Sequence, residues 1–484
     1  MDFRQLAREI EAIVGPQGLI ERPEQLRTYE SDGLTVFRQK PELVVLPAST
    51  EEVQGVVRAC HRHGVPFVPR GSGTGLSGGA LPAADGIVIC LARMNRILDV
   101  DLPNQRVVVE PGVMNLNVTA RVAPDGYFYA PDPSSQQVCS IGGNVAENSG
   151  GAHCLKYGFT VNHVLGLEVV LPDGELVKLG GPALDTPGYD LPGIFVGSEG
   201  TLGIATRITL RIVRRAEAVQ LTMASFASTD AAGEAVSGII GAGIVPAAVE
   251  MMDQLAIEAC EAAVHAGYPL DAGAILLVEL DGHRIEVARQ QEQVEAICRR
   301  AGAIELRIAR DAEERTLMWK GRKAAFAAMG RISPNYIVQD GVIPRTTLPE
   351  VLREIADLGR RYGLRVANVF HAGDGNLHPL VLYDERDEGA YHQAEELAAE
   401  ILKTCVAHGG SLTGEHGVGV EKRPYMPTMF TEADMETHQM IRCAFNPANL
   451  CNPDKVYPTP RLCGEVPGKY VPHPLELAGV AERF

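Results

Sequence analysis

Residues Pro69–Ala80 read PRGSGTGLSGGA, and this tract restricts the fold more than any other stretch of the chain. Its Gly73-x-Gly75-x-x-Gly78 has the letters of a dinucleotide fingerprint, but that fingerprint must open a helix inside a βαβ unit. Here Pro82 follows almost at once and the next strand pattern begins near Gly86, so no crossover helix fits. The Lys-Ser/Thr pair that would complete a P-loop is absent as well. What is left is a long loop of bare backbone between two strands. Glycines expose successive N–H groups and permit positive φ, and Ser72, Thr74 and Ser77 add hydroxyls, so the loop can wrap a pyrophosphate. A mobile surface loop is the competing reading.

Other glycine motifs weigh against that alternative. SIGGNVAENSGGAHCLKYG runs from Ser140 to Gly158 and VGSEGTLGI from Val196 to Ile204, with PDPSSQQ (131–137) just upstream of the first. Each allows close backbone approach and places small residues where a flat ring could lie. Together the loops read as a shell around a large dinucleotide.

Around them the chain alternates short strands with few helices. PELVVLPAS is a strand pattern, and TEEVQGVVRACHRHG an amphipathic helix with Thr50 as its expected N-cap. VPFVPR, GIVICL, RVVVEPG, HVLGLEVVLPDG and TRITLRIV are further strands, which gives an α+β first domain over 1–215. A second domain, 216–442, alternates strands such as VQLTMASF and AILLVEL with helices such as HRIEVARQQEQVEAICRRAG. It reads as split βαβ units, an antiparallel sheet with helices on one face. Residues 443–484 form a C-terminal segment whose tail after Tyr457 is rich in Pro and Gly.

Composition excludes several roles. A formal net charge of −17 repels nucleic acid and anionic lipid, and it obliges an anionic substrate to find local positive groups. The 10 cysteines include no Cys-x-x-Cys pair, so iron–sulfur and zinc-ribbon patterns are missing and buried reduced thiols in a cytoplasmic protein are expected. The N-terminus lacks a signal peptide's apolar core, and no apolar run is long enough to span a membrane.

The chemistry concentrates further along. In VFHAGDGNLHP (369–379), a hairpin closing on Gly373–Asn376 would set His371 opposite His378. Directly opposite residues share a face with Cβ atoms ~5 Å apart, so one divalent metal could join the two rings. GGSLTGEHGVG (409–419) adds Glu415 and His416. Two imidazoles and one carboxylate make a catalytic metal set that leaves a coordination position open. In WKGRKAAFAAMGR (319–331), Arg322 is the candidate clamp for a substrate carboxylate, which a planar guanidinium binds bidentately. An ordinary solvated basic face is the alternative there.

PRGSGTGLSGG, GGNVAENSGG and GSEGTLGI resemble the FAD-binding fold of flavoproteins of the vanillyl-alcohol oxidase type. The resemblance implies a two-subdomain FAD-binding fold plus a ferredoxin-like α+β cap. It implies that Arg70, Gly71, Ser72, Gly73, Thr74, Gly75, Ser77, Gly143, Asn144, Gly200 and Ile204 hold FAD, non-covalently because the pyrophosphate loop has neither His nor Cys. The histidine hairpin and the Glu-His loop resemble the C-terminal domain of D-2-hydroxy-acid dehydrogenases. In metal-dependent members the positions of His371, His378 and Glu415 bind a divalent cation, usually zinc, and the position of His416 is the base. NPDKVYP resembles the segment that returns to the flavin, which implicates Asn452 and Lys455. WKGRKAAFAAMGRISPNY, DGVIPR, LRVANVFHAGDGNLHPL and the terminal ERF are most similar to bacterial glycolate-oxidising members. The implied activity is oxidation of glycolate to glyoxylate with hydride transfer to flavin N5. D-lactate and D-2-hydroxyglutarate are the alternatives within the family, and a metal-dependent hydrolase is the alternative outside it. Implied partners are a second FAD-fold subunit and an iron–sulfur subunit, which would bring the chain to the inner membrane peripherally.

Overall fold

The computed structural model describes residues 3–183 and 187–458. The terminal ERF and the tail after Pro458 lie outside the described residues.

Two small sheets build the N-terminal half. In the first, strands Leu43–Val45, Ile87–Cys90 and Phe67–Arg70 are parallel neighbours in that order, with Leu19–Ile20 antiparallel at the edge. Helix Thr50–His63 makes the first crossover and buries Val53, Val56, Val57 and Cys60 along one face. Its N-cap is Ser49 rather than the expected Thr50. Ser49 is extended and its hydroxyl accepts from the Glu52 amide at 3.3 Å, while the Glu52 carboxylate accepts from Ala48 N at 2.7 Å. Between Phe67–Arg70 and Ile87–Cys90 there is no helix: the crossover is the glycine-rich loop itself. The second sheet is antiparallel, in the order Ile97–Asp101, Arg106–Val109, Ile204–Arg211, Val164–Val170 and Leu176–Gly180. Segments 131–137 and 140–158, the second carrying helices Ile141–Glu147 and Cys154–Tyr157, lead into strand Val164–Val170 of this sheet, and residues of both segments and of the glycine-rich loop line a cleft between the two sheets.

The second half carries a repeat that the letters of the sequence hide. Strand Ala218–Phe226, helix Thr229–Gly241, strands Ala248–Asp253 and Ala274–Gly282, helix Arg284–Arg300 and strand Glu305–Ile308 form one βαββαβ unit, ordered 4-1-3-2 in the sheet. The same plan recurs with Gly341–Val342, helix Leu348–Tyr362, Arg365–His371, Asn376–Leu377, helix Ala390–Ala407 and a final bridge at Ser411. The units join edge to edge, with Glu250 opposite His371, Met251 opposite Phe370 and Met252 opposite Val369. Helices cover both faces of the sheet, not one as expected. Thr229–Gly241, Arg284–Arg300, Leu348–Tyr362 and Ala390–Ala407 pack on one face, and Gln254–Val264, Ala312–Lys323 and Ala325–Met329 on the other. Burial on both faces is why strand Ala274–Gly282 opens with the unbroken apolar run AILLV. From Leu450 the chain runs back beside Phe67, through Phe67 N to Leu450 O and Asn452 N to Phe67 O, both 2.8 Å.

Phe370 stands at the seam between the two units and is 1% exposed. Phe370→Ala should lower stability by about 3–5 kcal/mol in urea titration. Ile285→Ala, at a side chain 76% exposed, should stay within about 0.5 kcal/mol of wild type.

Candidate functional site

The histidine hairpin is real, but its register differs from expectation. His371 lies opposite Asn376, and Asn368 opposite Pro379, so the turn is 372–375 and His378 falls opposite Val369. The reason is local. Gly375 adopts φ +83 at a point where a Cβ would meet the Ile343 carbonyl at 2.1 Å, so the chain reverses earlier. A slip of two residues preserves the face. The histidines are therefore diagonal neighbours on one side of the sheet, with ring centroids 5.1 Å apart and planes at 89°.

Strand pairing across the seam brings in a residue that the motif search missed. Glu250, 1% exposed, accepts from His371 Nδ1 at 2.7 Å through Oε1 and pairs with Arg322 Nη2 at 2.7 Å through Oε2. Its signal in the sequence is a lone acid inside the apolar run AAVEMM. With Nδ1 engaged, His371 Nε2 faces Glu415, whose Oε1 lies 3.4 Å away and also 3.1 Å from His378 Nε2. Donor atoms of His371, His378 and Glu415 fall within 4.8 Å of one another, and Glu415 Oε2 is buried without a hydrogen-bond partner. Burial would raise the Glu415 pKa, but bonds from the two imidazoles hold it well below the usual carboxylate range. This donor set fits a divalent cation, with Glu250 orienting one ligand from behind.

Asp340, also missed, fixes the Glu-His loop. Its carboxylate accepts from Thr413 Oγ1 at 2.5 Å and from the amides of Gly414 at 3.0 Å, Glu415 at 3.1 Å and His416 at 2.8 Å, with Lys422 Nζ at 3.5 Å. Burial pushes against its charge, yet His416, Lys422 and His378 hold Asp340 well below the ordinary aspartate range. Beyond the loop, Glu199 accepts from the amides of Val418 and Gly419, both at 2.6 Å, and so ties the cap to the N-terminal half. His416 stacks on His378 at 5.1 Å with planes 9° apart. Burial pushes its pKa down to about 4, so the imidazole is neutral near pH 7, and its Nδ1 has no partner.

Glu415 and His416 also form the end wall of the cleft between the two N-terminal sheets. Arg70, Gly71, Ser72, Gly73, Thr74, Gly75, Gly143, Asn144, Gly200 and Ile204 all line that cleft. Asn144 contributes backbone, because its amide is already bound to Asn115, Ser149 and Cys139. Three predicted cofactor residues do not line it. Ser77 is fully buried beneath the cap loop, where its carbonyl accepts from Val420 and Glu421. Asn452 stands behind the wall and donates to Gly79 O at 2.9 Å and Glu199 O at 2.6 Å. Lys455 is 3% exposed beside them, and burial lowers its pKa to about 8. Arg322 does not reach the cleft and joins the histidines through Glu250. Of the cysteines, eight are free and buried, as the composition implied, while Cys443 is disulfide-bonded.

Two family models match the chain. Residues 41–180 match the FAD binding domain family, and residues 215–456 match the family of FAD linked oxidases, C-terminal domain. The chain is 50% identical over 455 residues to glycolate oxidase subunit GlcD of Escherichia coli K12, covering 94% of this chain and 91% of that protein. It is 32% identical to a probable mitochondrial D-lactate dehydrogenase of Danio rerio, covering 86% of this chain and 84% of that one. The fold is shared with 4-ethylphenol oxidase from Gulosibacter chungangensis, with TM-score 0.77, 19% identity and coverage of 95% and 98%.

Gly71 tests the placement of the cofactor. A Cβ there would lie 2.4 Å from Ser140 Oγ and 3.3 Å from the Gly143 amide. Gly71→Val should therefore yield folded protein, by far-UV circular dichroism, that has lost its flavin absorbance. Full flavin content in that variant would put the cofactor elsewhere.

Proposed function

Because the chain belongs to the family of FAD-linked oxidases, we propose that it oxidises a small D-2-hydroxy acid, glycolate first among them, to the 2-oxo acid. One observation carries this reading: Glu415 and His416 are at once part of the histidine cluster and the end wall of the glycine-lined cleft. A hydrolase would have no use for that shared wall.

FAD in the cleft would supply the two-electron acceptor for the Cα hydride, and a divalent cation on His371, His378 and Glu415 would supply a Lewis acid for the hydroxyl. The chain's own groups do the rest. Arg322, anchored by Glu250, presents the remainder of its fork to the substrate carboxylate, and its Nε is buried without a partner. His416, neutral and next to the cluster, removes the hydroxyl proton. Asp340 holds the His416 amide, so that base keeps its place while the proton moves. The loop 71–75 and the helix Ile141–Glu147 line the cleft on either side.

Zinc is the cation that the donor set favours, since two imidazoles and a carboxylate suit it. The name "subunit" carried by the Escherichia coli relative supports partner subunits here as well. A second FAD-fold chain and an iron–sulfur chain would carry electrons onward, as this sequence has no Cys-x-x-Cys pair of its own. No helix among the described residues is long and apolar enough to cross a membrane, so contact with the inner membrane would run through those partners.

Anaerobic mixing of the purified protein with glycolate, D-lactate and D-2-hydroxyglutarate tests the reading. Flavin bleaching should be fastest with glycolate; a colourless protein, or one bleached by none of the three, would overturn it. His371→Ala should keep FAD, lose the metal in elemental analysis, and slow bleaching at least about 100-fold. Glu250→Gln should weaken metal affinity by about 10- to 100-fold in a chelator competition.

A further inference from the structure

His153 lies on the boundary between the two halves of the molecule, and nothing in the mechanism above uses it. Its Nδ1 meets Asp132 Oδ2 at 2.8 Å and its Nε2 meets Glu279 Oε1 at 3.1 Å. Asp132 opens the loop whose next residues, Pro133, Ser134 and Ser135, line the cleft. Glu279 belongs to the cap, on strand Ala274–Gly282. Both partners are carboxylates, so only the imidazolium can donate to both at once. Burial works against that charge, but Asp132 and Glu279 outweigh it and hold the His153 pKa well above the usual imidazole range.

The tie continues into the cap. Glu279 Oε2 accepts from the indole of Trp319 at 2.6 Å. Trp319 and Arg322 are one turn apart on helix Ala312–Lys323, so they face the same way. Glu279 and Glu250 are diagonal neighbours on adjacent strands, since Ala248 pairs with Glu279 and Glu250 with Leu277. One helix is thus held to one sheet face at two points. The first runs Trp319, Glu279, His153, Asp132 to the cleft, and the second runs Arg322, Glu250, His371 to the metal ligands. A separate clasp, Lys156 and Tyr157 on Asp281, secures the same boundary without His153.

We propose that His153 is a positioning residue: by gripping Asp132 and Glu279 from opposite sides, it sets where Arg322 stands relative to the flavin cleft. This rests on the reading of Arg322 and the cleft as the place of oxidation. A shift of about 1 Å in such a clamp is enough to cost on the order of 100-fold in rate.

Trp319 is the single tryptophan of the chain, which gives a readout other than turnover. The groups around His153 are Asp132 from its own half, Glu279 and Trp319 from the cap, Lys323 over the Trp319 ring at 5.9 Å, and the neighbouring Lys156, Tyr157 and Asp281. An imidazolium quenches an adjacent indole. Emission of the holoenzyme should therefore rise as alkali removes the His153 proton, and His153→Leu should abolish that response. In anaerobic stopped flow, His153→Leu should lower the limiting rate of flavin bleaching by about 10- to 100-fold, with the apparent Kd for glycolate changing less than about threefold. FAD and metal content should not change. Glu279→Gln should stay within about threefold of wild type, because a glutamine amide can donate to a neutral His153 while its carbonyl still accepts from Trp319. An unchanged limiting rate in His153→Leu, or the same pH response of Trp319 in that variant, would overturn the inference alone. Wild-type protein that no 2-hydroxy acid bleaches would instead overturn the reading of the site, and the positioning role with it.

Discussion

Glu250 is the group on which the rest of the site depends. It is a carboxylate with 1% exposure on a central strand, and it sits where the two βαββαβ units are stitched together. One oxygen fixes the tautomer and orientation of His371; the other holds the guanidinium of Arg322. A charge so buried is tolerated only when fully paired, and removing one partner of such a group typically costs about 3–5 kcal/mol. Stability and chemistry are therefore coupled at this point. The pairing that makes the seam a seam also puts His371 and Arg322 within one residue's reach of each other.

The other half of the arrangement is a set of carboxylates that accept from backbone. Asp340 gathers the amides of the Glu-His loop, and Glu199, from the N-terminal half, accepts from the two amides that follow it. Loops rich in glycine have little side-chain packing to hold them, so backbone amides are the groups left to anchor. Glycine is also what lets these segments meet: a Cβ at Gly417 would lie 2.2 Å from Glu147 Oε2, and one at Gly414 2.6 Å from Asn376. In this way the cap and the cleft share a wall held by hydrogen bonds to backbone amides.

Much of this was legible in the letters. The glycine tract, with Pro82 close behind it, excluded a helical crossover, and the structure places bare loop there. The two histidines were put on one face, correctly, through a register that was wrong by two residues, because side chains alternate with a period of two. What stayed hidden depends on distant strand pairing. Glu250 and His371 are far apart in sequence, and no local pattern says that their strands will adjoin. Asp340 stands in DGVIPR with no role that its neighbours in sequence assign, and Ser77, Asn452 and Lys455 match motifs yet do not line the cleft. The alternation of strand and helix recurs legibly after Asp340, but the matching sheet order of the two βαββαβ units and their edge-to-edge joining depend on strand pairing that residue identities do not carry.

The proposed chemistry rests on His371, His378 and Glu415 holding a divalent cation at the end of the flavin cleft. The most direct check is anomalous diffraction from crystals of the purified protein, recorded on either side of the absorption edge of the metal found in it. The account predicts one dominant peak at about 2.0–2.2 Å from a nitrogen of each histidine and an oxygen of Glu415. A peak bound elsewhere, or none at these residues in metal-replete protein, would contradict it.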